Sequence, residues 1–306
     1  MMPLYIHFAA SISCQDRFKK DFYKKLKKVD VDSLVQAPNY KDYFKGSQLR
    51  RLSPILKAGM SLAVDCSKST KKPFDAIILG TGLGCLTDTE KFLQNIKSKT
   101  SDLLSPTAFI QSTHNTISGQ VSILLNNKGY NTTHSQNNLS FEMSLIDAMS
   151  EFNEGKEQVL VGGIDEDHAF MKVLNEELKI HLGTASFCAS FFVVQKQKNT
   201  CKIAIKSVYT DFTNIITEQF ITKVCEKEAL CINQIDLVLH SNSNSPIINK
   251  HANQINYLNF TGYNLSASAF ATHIAYDFLE HSNCNRVLIV NDLCINKGLI
   301  LITKND

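Results

Sequence analysis

Apolar positions along the chain follow two periods that alternate with each other. Short, densely apolar runs predict strands over Pro3–Ser13, Phe74–Leu79, Gln158–Gly163, Lys202–Val208, Ile235–His240, Arg286–Asn291 and Gly298–Thr303. Between them lie stretches with helical spacing: Ser53–Cys66, Asp88–Ile96, Thr217–Glu228 and Tyr263–Leu279. One more helix opens at Ser118-Gly119-Gln120, and another ends near Glu154. Ser53 before Pro54 reads as an N-cap followed by proline at the first helical position. Gly183–Phe187 running into Phe191–Val194 predicts a small hairpin. Buried strands separated by helices predict an α/β protein. The order recurs loosely in two halves, 1–196 and 197–306, so a single internally duplicated unit is expected.

The stretch Ser105–Asp165 organises the rest. Extended Tyr130–Ser135 runs into a polar turn, Gln136-Asn137-Asn138, and then a helix. Free backbone N–H groups and the dipole at such a helix N-terminus favour an anion or a developing oxyanion. The turn nevertheless holds no nucleophile.

Composition narrows the picture. With 306 residues, 43% apolar and 20% charged, the chain can bury a large core, and a net charge of +3 is too small to argue for nucleic acid. No apolar run reaches membrane-spanning length, and the N-terminus reads as a first strand rather than a leader. Nine cysteines without a CxxC pair fit reduced thiols in a cytoplasm. Gly80-Thr81-Gly82-Leu83-Gly84-Cys85 lacks the third glycine of a dinucleotide fingerprint, so a nicotinamide cofactor is not expected. No cofactor or metal is expected, because the histidines show no ligand spacing. Asp165-Glu166-Asp167 reads as a solvated loop. Arg17–Lys28 packs seven basic residues into twelve around Phe18, Phe22 and Leu26. This is either a solvated basic helix or turn, or a dock for an acidic partner.

Taken together, the Asp75–Gly84 turn, Asn115–Gln120, Gly129-Tyr130, Val159–Gly163 and Gly183–Phe187 resemble a β-ketoacyl synthase of the thiolase superfamily. The resemblance implies a thiolase-like fold, with duplicated βαβ halves in an αβαβα layering. It implies a catalytic cysteine nine residues past Gly129 and seventeen before Gly155, where this chain has Asn138. Asparagine offers no thiolate and cannot form an acyl thioester. The family's two histidines correspond to His240 and Tyr263, and its lysine to Leu258. His240 is therefore the sole retained catalytic position, and it also reads as a strand-end histidine satisfied by neighbours. The glycine-rich C-terminal loop is poorly matched by Asn291–Gly298.

Ser112–Thr116 and Ser140-Phe141-Glu142 make the chain look like short chain-length factors beside bacterial aryl-polyene and flexirubin synthases. That likeness implies a silent subunit forming a heterodimer with an active ketosynthase and meeting an acyl carrier protein. Two alternatives stay open. One is an independent homodimeric acyltransferase or malonyl-thioester decarboxylase using Asn138 or Gln136 with His240 or His114. The other is an inert carrier-protein scaffold using Arg17–Lys28 and Arg50-Arg51.

Overall fold

A computed structural model describes residues 2–16, 21–98, 106–168, 186–198, 201–241 and 245–304, with 173, 177 and 184. Arg17–Lys20, Gly183 and Ala185 of the Gly183–Phe187 segment, and the 242–244 part of the polar run after His240 lie outside the described residues.

The strands are β1 (Leu4–Ile12), β2 (Ala76–Gly80), β3 (Tyr130–His134), β4 (Gln158–Asp165), β5 (Cys188–Gln195), β6 (Ile203–Asp211), β7 (Leu237–His240), β8 (Gln254–Asn256), β9 (Arg286–Asn291) and β10 (Lys297–Lys304). They pair in the order β3-β2-β4-β5-β1-β6-β10-β9-β7-β8. Read inward from its own edge, the second half runs 8-7-9-10-6, which is the first half's 3-2-4-5-1 with five added to each label. Pairing repeats as well. β2 is parallel to β3 and β4, β7 is parallel to β8 and β9, and the remaining pairs are antiparallel. The halves join where β1 meets β6 through Leu4↔Ile205 and Tyr5↔Ala204.

Among the described residues, six longer helices complete the layers: α1 (Pro54–Lys68), α2 (Leu86–Ser98), α3 (Thr116–Leu124), α4 (Ser140–Asn153), α5 (Thr217–Lys227) and α6 (Ala267–His281). Eleven of the fifteen residues of α6 are buried. A helix buried on nearly every side belongs in the interior, and α6 lies there beside α4. Phe141, Leu145 and Phe152 share one core with Phe270, Ile274 and Leu279, between Ile78 and Val161 of one half and Ile289 and Ile302 of the other. Ile55 and Leu62 of α1 and Val121 of α3 cover the first half's outer face, over Leu79, Leu160 and Phe191. Phe220 and Val224 of α5 cover the second, over Val238, Leu288 and Leu299. The result is the expected helix–sheet–helix–sheet–helix stack. Among the described residues, no helix is long and apolar enough to cross a membrane.

Several local expectations change. The described part of the basic stretch is one 3-10 turn, Phe22–Lys25, entered through Asp21 at φ 60°. Phe22 is buried against Phe270 and His273, at ring separations of 6.3 and 5.1 Å. Among the described residues, Phe191–Val194 forms no small hairpin with the segment before it. β5 is a single strand between β4 and β1, mostly apolar because each of its faces meets a different core. Ser53 makes no side-chain cap, and its buried hydroxyl has no hydrogen-bond partner. α6 starts at Ala267 rather than Tyr263. Gly262 stands at φ 69°, and Asn264 then accepts from the Ser266 N–H while donating to the Asp165 and Ser186 carbonyls.

Candidate functional site

Between β3 and α4 the chain turns through Asn137–Leu139. Asn137 takes φ 54°, a left-handed conformation that asparagine tolerates. Ser140 staples the turn: its hydroxyl donates to the Asn137 carbonyl at 2.6 Å and accepts from the Gln136 N–H at 2.9 Å. Gly80 lets the end of β2 pack directly on this helix start, since a Cβ there would land on the Ser140 carbonyl.

Asn138 is completely buried. Its Nδ2 donates to the Asn296 carbonyl at 3.1 Å and to Asn291 Oδ1 at 3.4 Å. Asn291, at the end of β9, returns its own Nδ2 to the Asn138 carbonyl at 2.8 Å and to Glu142 Oε1 at 2.7 Å. The turn of the first half is thus clasped by the β9–β10 segment of the second. Where a nucleophile would need a free approach, an amide is closed into the protein's own hydrogen bonds.

The clasp sits in a wider buried polar cluster. Glu142 is wholly buried, and burial pushes its carboxyl up to about 7 despite the Asn291 hydrogen bond and nearby Ser268. Asn138 Oδ1, Glu142 Oε2 and Ser268 Oγ all lack hydrogen-bond partners. Asn138 Oδ1 and an ionised Glu142 can only accept, whereas the Ser268 hydroxyl can donate as well as accept, and a proton on Glu142 Oε2 would add a second donor to the group. Burial also raises the Tyr257 hydroxyl, next to Ser241. Ser241 donates to Asp292 Oδ1 at 2.8 Å and accepts from the Asp292 N–H at 2.8 Å.

The other sequence-derived positions take different partners. His240 is buried at the end of β7, with Nε2 held by Gln254 Oε1 of β8 at 2.6 Å. Tyr263 is half-buried. Burial and the neighbouring Cys294 thiol raise its hydroxyl, while its backbone binds Thr184 and Ser186. Leu258 begins a short helical turn, and its N–H is held by Asn256 Oδ1 at 3.0 Å. His114 is exposed beside Gly84. The hydrogen-bond partners of Asn138 are Asn291 and Asn296, so neither His240, His114 nor Tyr263 engages it.

The acidic run after β4 is a correction. Asp165 is buried, with its carboxylate taking donors from Thr81 Oγ1, the Gly82 and Leu83 N–H groups and Ser266 Oγ, at 2.6–2.9 Å. Burial raises this carboxyl, and the four donors oppose the rise. Glu166 accepts from the Thr87 N–H at 2.7 Å in the first turn of α2, and His168 pairs with Glu90 at 3.1 Å. These acids tie the Gly80–Cys85 turn to the start of α6. The histidines also yield one group that sequence spacing did not flag: Asp277, Glu280 and His281 on α6, whose ligand-type atoms lie within 4.8 Å of one another. There His281 pairs with Asp277 at 3.1 Å, near the helix C-terminus that favours a cation.

The family model of the beta-ketoacyl synthase N-terminal domain matches residues 40–234. No curated protein matches the chain in sequence. Among solved structures, a chain of the ishigamide ketosynthase/chain length factor aligns over all of both chains, with a TM-score of 0.82 and 12% identity. A chain of the ketosynthase ApeO in complex with its chain length factor ApeC, from Xenorhabdus doucetiae, aligns at TM-score 0.64 and 13% identity, over 99% of this chain and 100% of the other. A chain of the AntDE:AntF assembly, a type II polyketide synthase carrier protein with its ketosynthase bound to the hexaketide, gives 0.78 and 14% over the same shares. These likenesses show the thiolase-like fold. With that family model spanning well over half of its length, the chain belongs to the beta-ketoacyl synthase family.

Proposed function

We propose that the chain is a catalytically silent ketosynthase-like subunit of the chain-length-factor kind. It pairs with an active β-ketoacyl synthase in polyketide or fatty-acid-type synthesis and works in a bacterial cytoplasm. The observation that carries this is the clasp: the turn where the family places its nucleophile holds Asn138, closed by Asn291 and Asn296. Tyr263 and Leu258 supply neither the second histidine nor the lysine. His240 is engaged by Gln254 rather than by the turn. Similar solved structures described as ketosynthase with chain length factor support the same reading.

The sheet offers a place to pair. β3 is its terminal strand, with Tyr130 and Asn131 exposed, and an open strand edge is a template for another chain. Ile123 on neighbouring α3 is three-quarters exposed and extends that edge with apolar surface. Carrier protein is proposed to meet the Lys24–Lys28 basic segment.

Co-expression with the cysteine-bearing ketosynthase encoded beside it, followed by native mass measurement, tests the proposal. The expected result is a one-to-one complex, weakened by Ile123→Glu. A stable homodimer that condenses acyl units unaided would overturn it.

A further inference from the structure

A second place on the molecule joins a thiol to a base. His7 lies in β1 at the point where register with β5 slips: Ile6 pairs with Val194 and Phe8 with Val193, leaving His7 as the extra residue. Such bulges re-aim a side chain. The ring reaches two partners. Nε2 lies 3.1 Å from the Ser69 carbonyl, and Nδ1 lies 3.6 Å from the Cys201 sulfur. A carbonyl can only accept, so Nε2 carries the proton and Nδ1 presents its lone pair to the thiol. Ser69 is the C-cap of α1. Nucleophile, base and a group that orients the base are in place.

The pair also lines a cavity of about 280 Å³, walled by Lys202, Tyr276, Glu280 and Lys304. Lys304 is fixed there, donating to the Leu279 and Ser282 carbonyls at 2.8 and 2.9 Å. A held ammonium lining the same cavity as a thiol suits the oxygen of a carbonyl that gains negative charge on attack. In the sheet, β1 is four strands from β3, on the order of 19 Å at strand spacing. The pocket is thus separate from the Asn138 turn.

We propose that Cys201 and His7 form a nucleophilic site that accepts an acyl group from a small activated ester or thioester. His7 Nδ1 takes the Cys201 proton as sulfur adds to the acyl carbonyl. The carbon–oxygen or carbon–sulfur bond to the leaving group then breaks, and the proton passes from His7 to the departing oxygen or sulfur. No oxidant or reductant enters, and the product is an S-acyl cysteine plus the free alcohol or thiol.

The test is p-nitrophenyl acetate on the full chain, with nitrophenolate release followed and acetylated peptides mapped by mass. Exposed Cys231 serves as the internal reference thiol. The expected result is one acetyl group per chain on Cys201, formed faster than on Cys231, and absent in Cys201→Ser. His7→Gln keeps a side-chain donor for the Ser69 carbonyl but removes the base, and should slow Cys201 acetylation about a hundredfold. Circular dichroism confirms that this variant is folded. Independently of any variant, iodoacetamide at neutral pH should label Cys201 ahead of Cys231 in the unmodified chain. Equal or preferential reaction at Cys231, or an unchanged rate in folded His7→Gln, would overturn the proposal.

Discussion

Asn291 serves two elements with one amide, donating to the Asn138 carbonyl and to Glu142. Truncating it strands both acceptors in a dry interior, so Asn291→Ala should lower unfolding free energy in urea by about 2–4 kcal/mol. Glu142 gives a pH test. Its folded carboxyl titrates near 7, above the unfolded value of 4.5. The folded state therefore binds the proton more tightly. Stability from this group is complete below about pH 4.5 and falls as pH rises to 7, by on the order of 3 kcal/mol. Glu142→Gln should flatten that slope and make the variant the more stable protein at pH 8; urea midpoints at pH 6 and 8 measure both. At this scale the sequence was informative about Asn138, because residue type alone excludes a thiolate. It was silent on Asn291 and Glu142, whose partners lie about 150 residues away, and it misread Asp165, whose four donors come from two distant segments.

At the level of elements, helices and buried strands were legible because each has a strong apolar period, and errors collected where tertiary contact overrides local pattern. The start of α6 moved four residues because Gly262 and Asn264 set it, and in the described part of the basic segment a single turn places Phe22 in the core. The β2–α4 contact is predicted to be intolerant. Gly80→Val would push Ser140 away and should cost about 2 kcal/mol or more, seen as a lowered melting temperature. Midway along α4, the Asp147 carboxylate lies 2.8 Å from Nε2 of His134, the last residue of edge strand β3. That pair fixes the strand that the proposed partner would extend.

For the whole molecule, duplication was visible as a loose repeat, but the strand order that makes the halves equivalent depends on pairings that no local pattern reveals. If the chain pairs with a synthase and carrier protein approaches the basic segment, Lys24→Glu combined with Lys25→Glu should weaken carrier binding. Binding by the unmodified complex should also fall as salt rises. Surface plasmon resonance at two ionic strengths reads both effects, and unchanged binding would remove this segment from the docking surface.

The clasp also bears on how such a chain changes over generations. A single exchange of Asn138 for cysteine would leave the Asn296 carbonyl without its donor, while still lacking a histidine at 263 and a lysine at 258. The first step back toward a working nucleophile therefore weakens the protein and restores no chemistry. On the proposed reading of a silent subunit, selection has nothing to favour at that step, and the interior hydrogen bonds act as a ratchet against it.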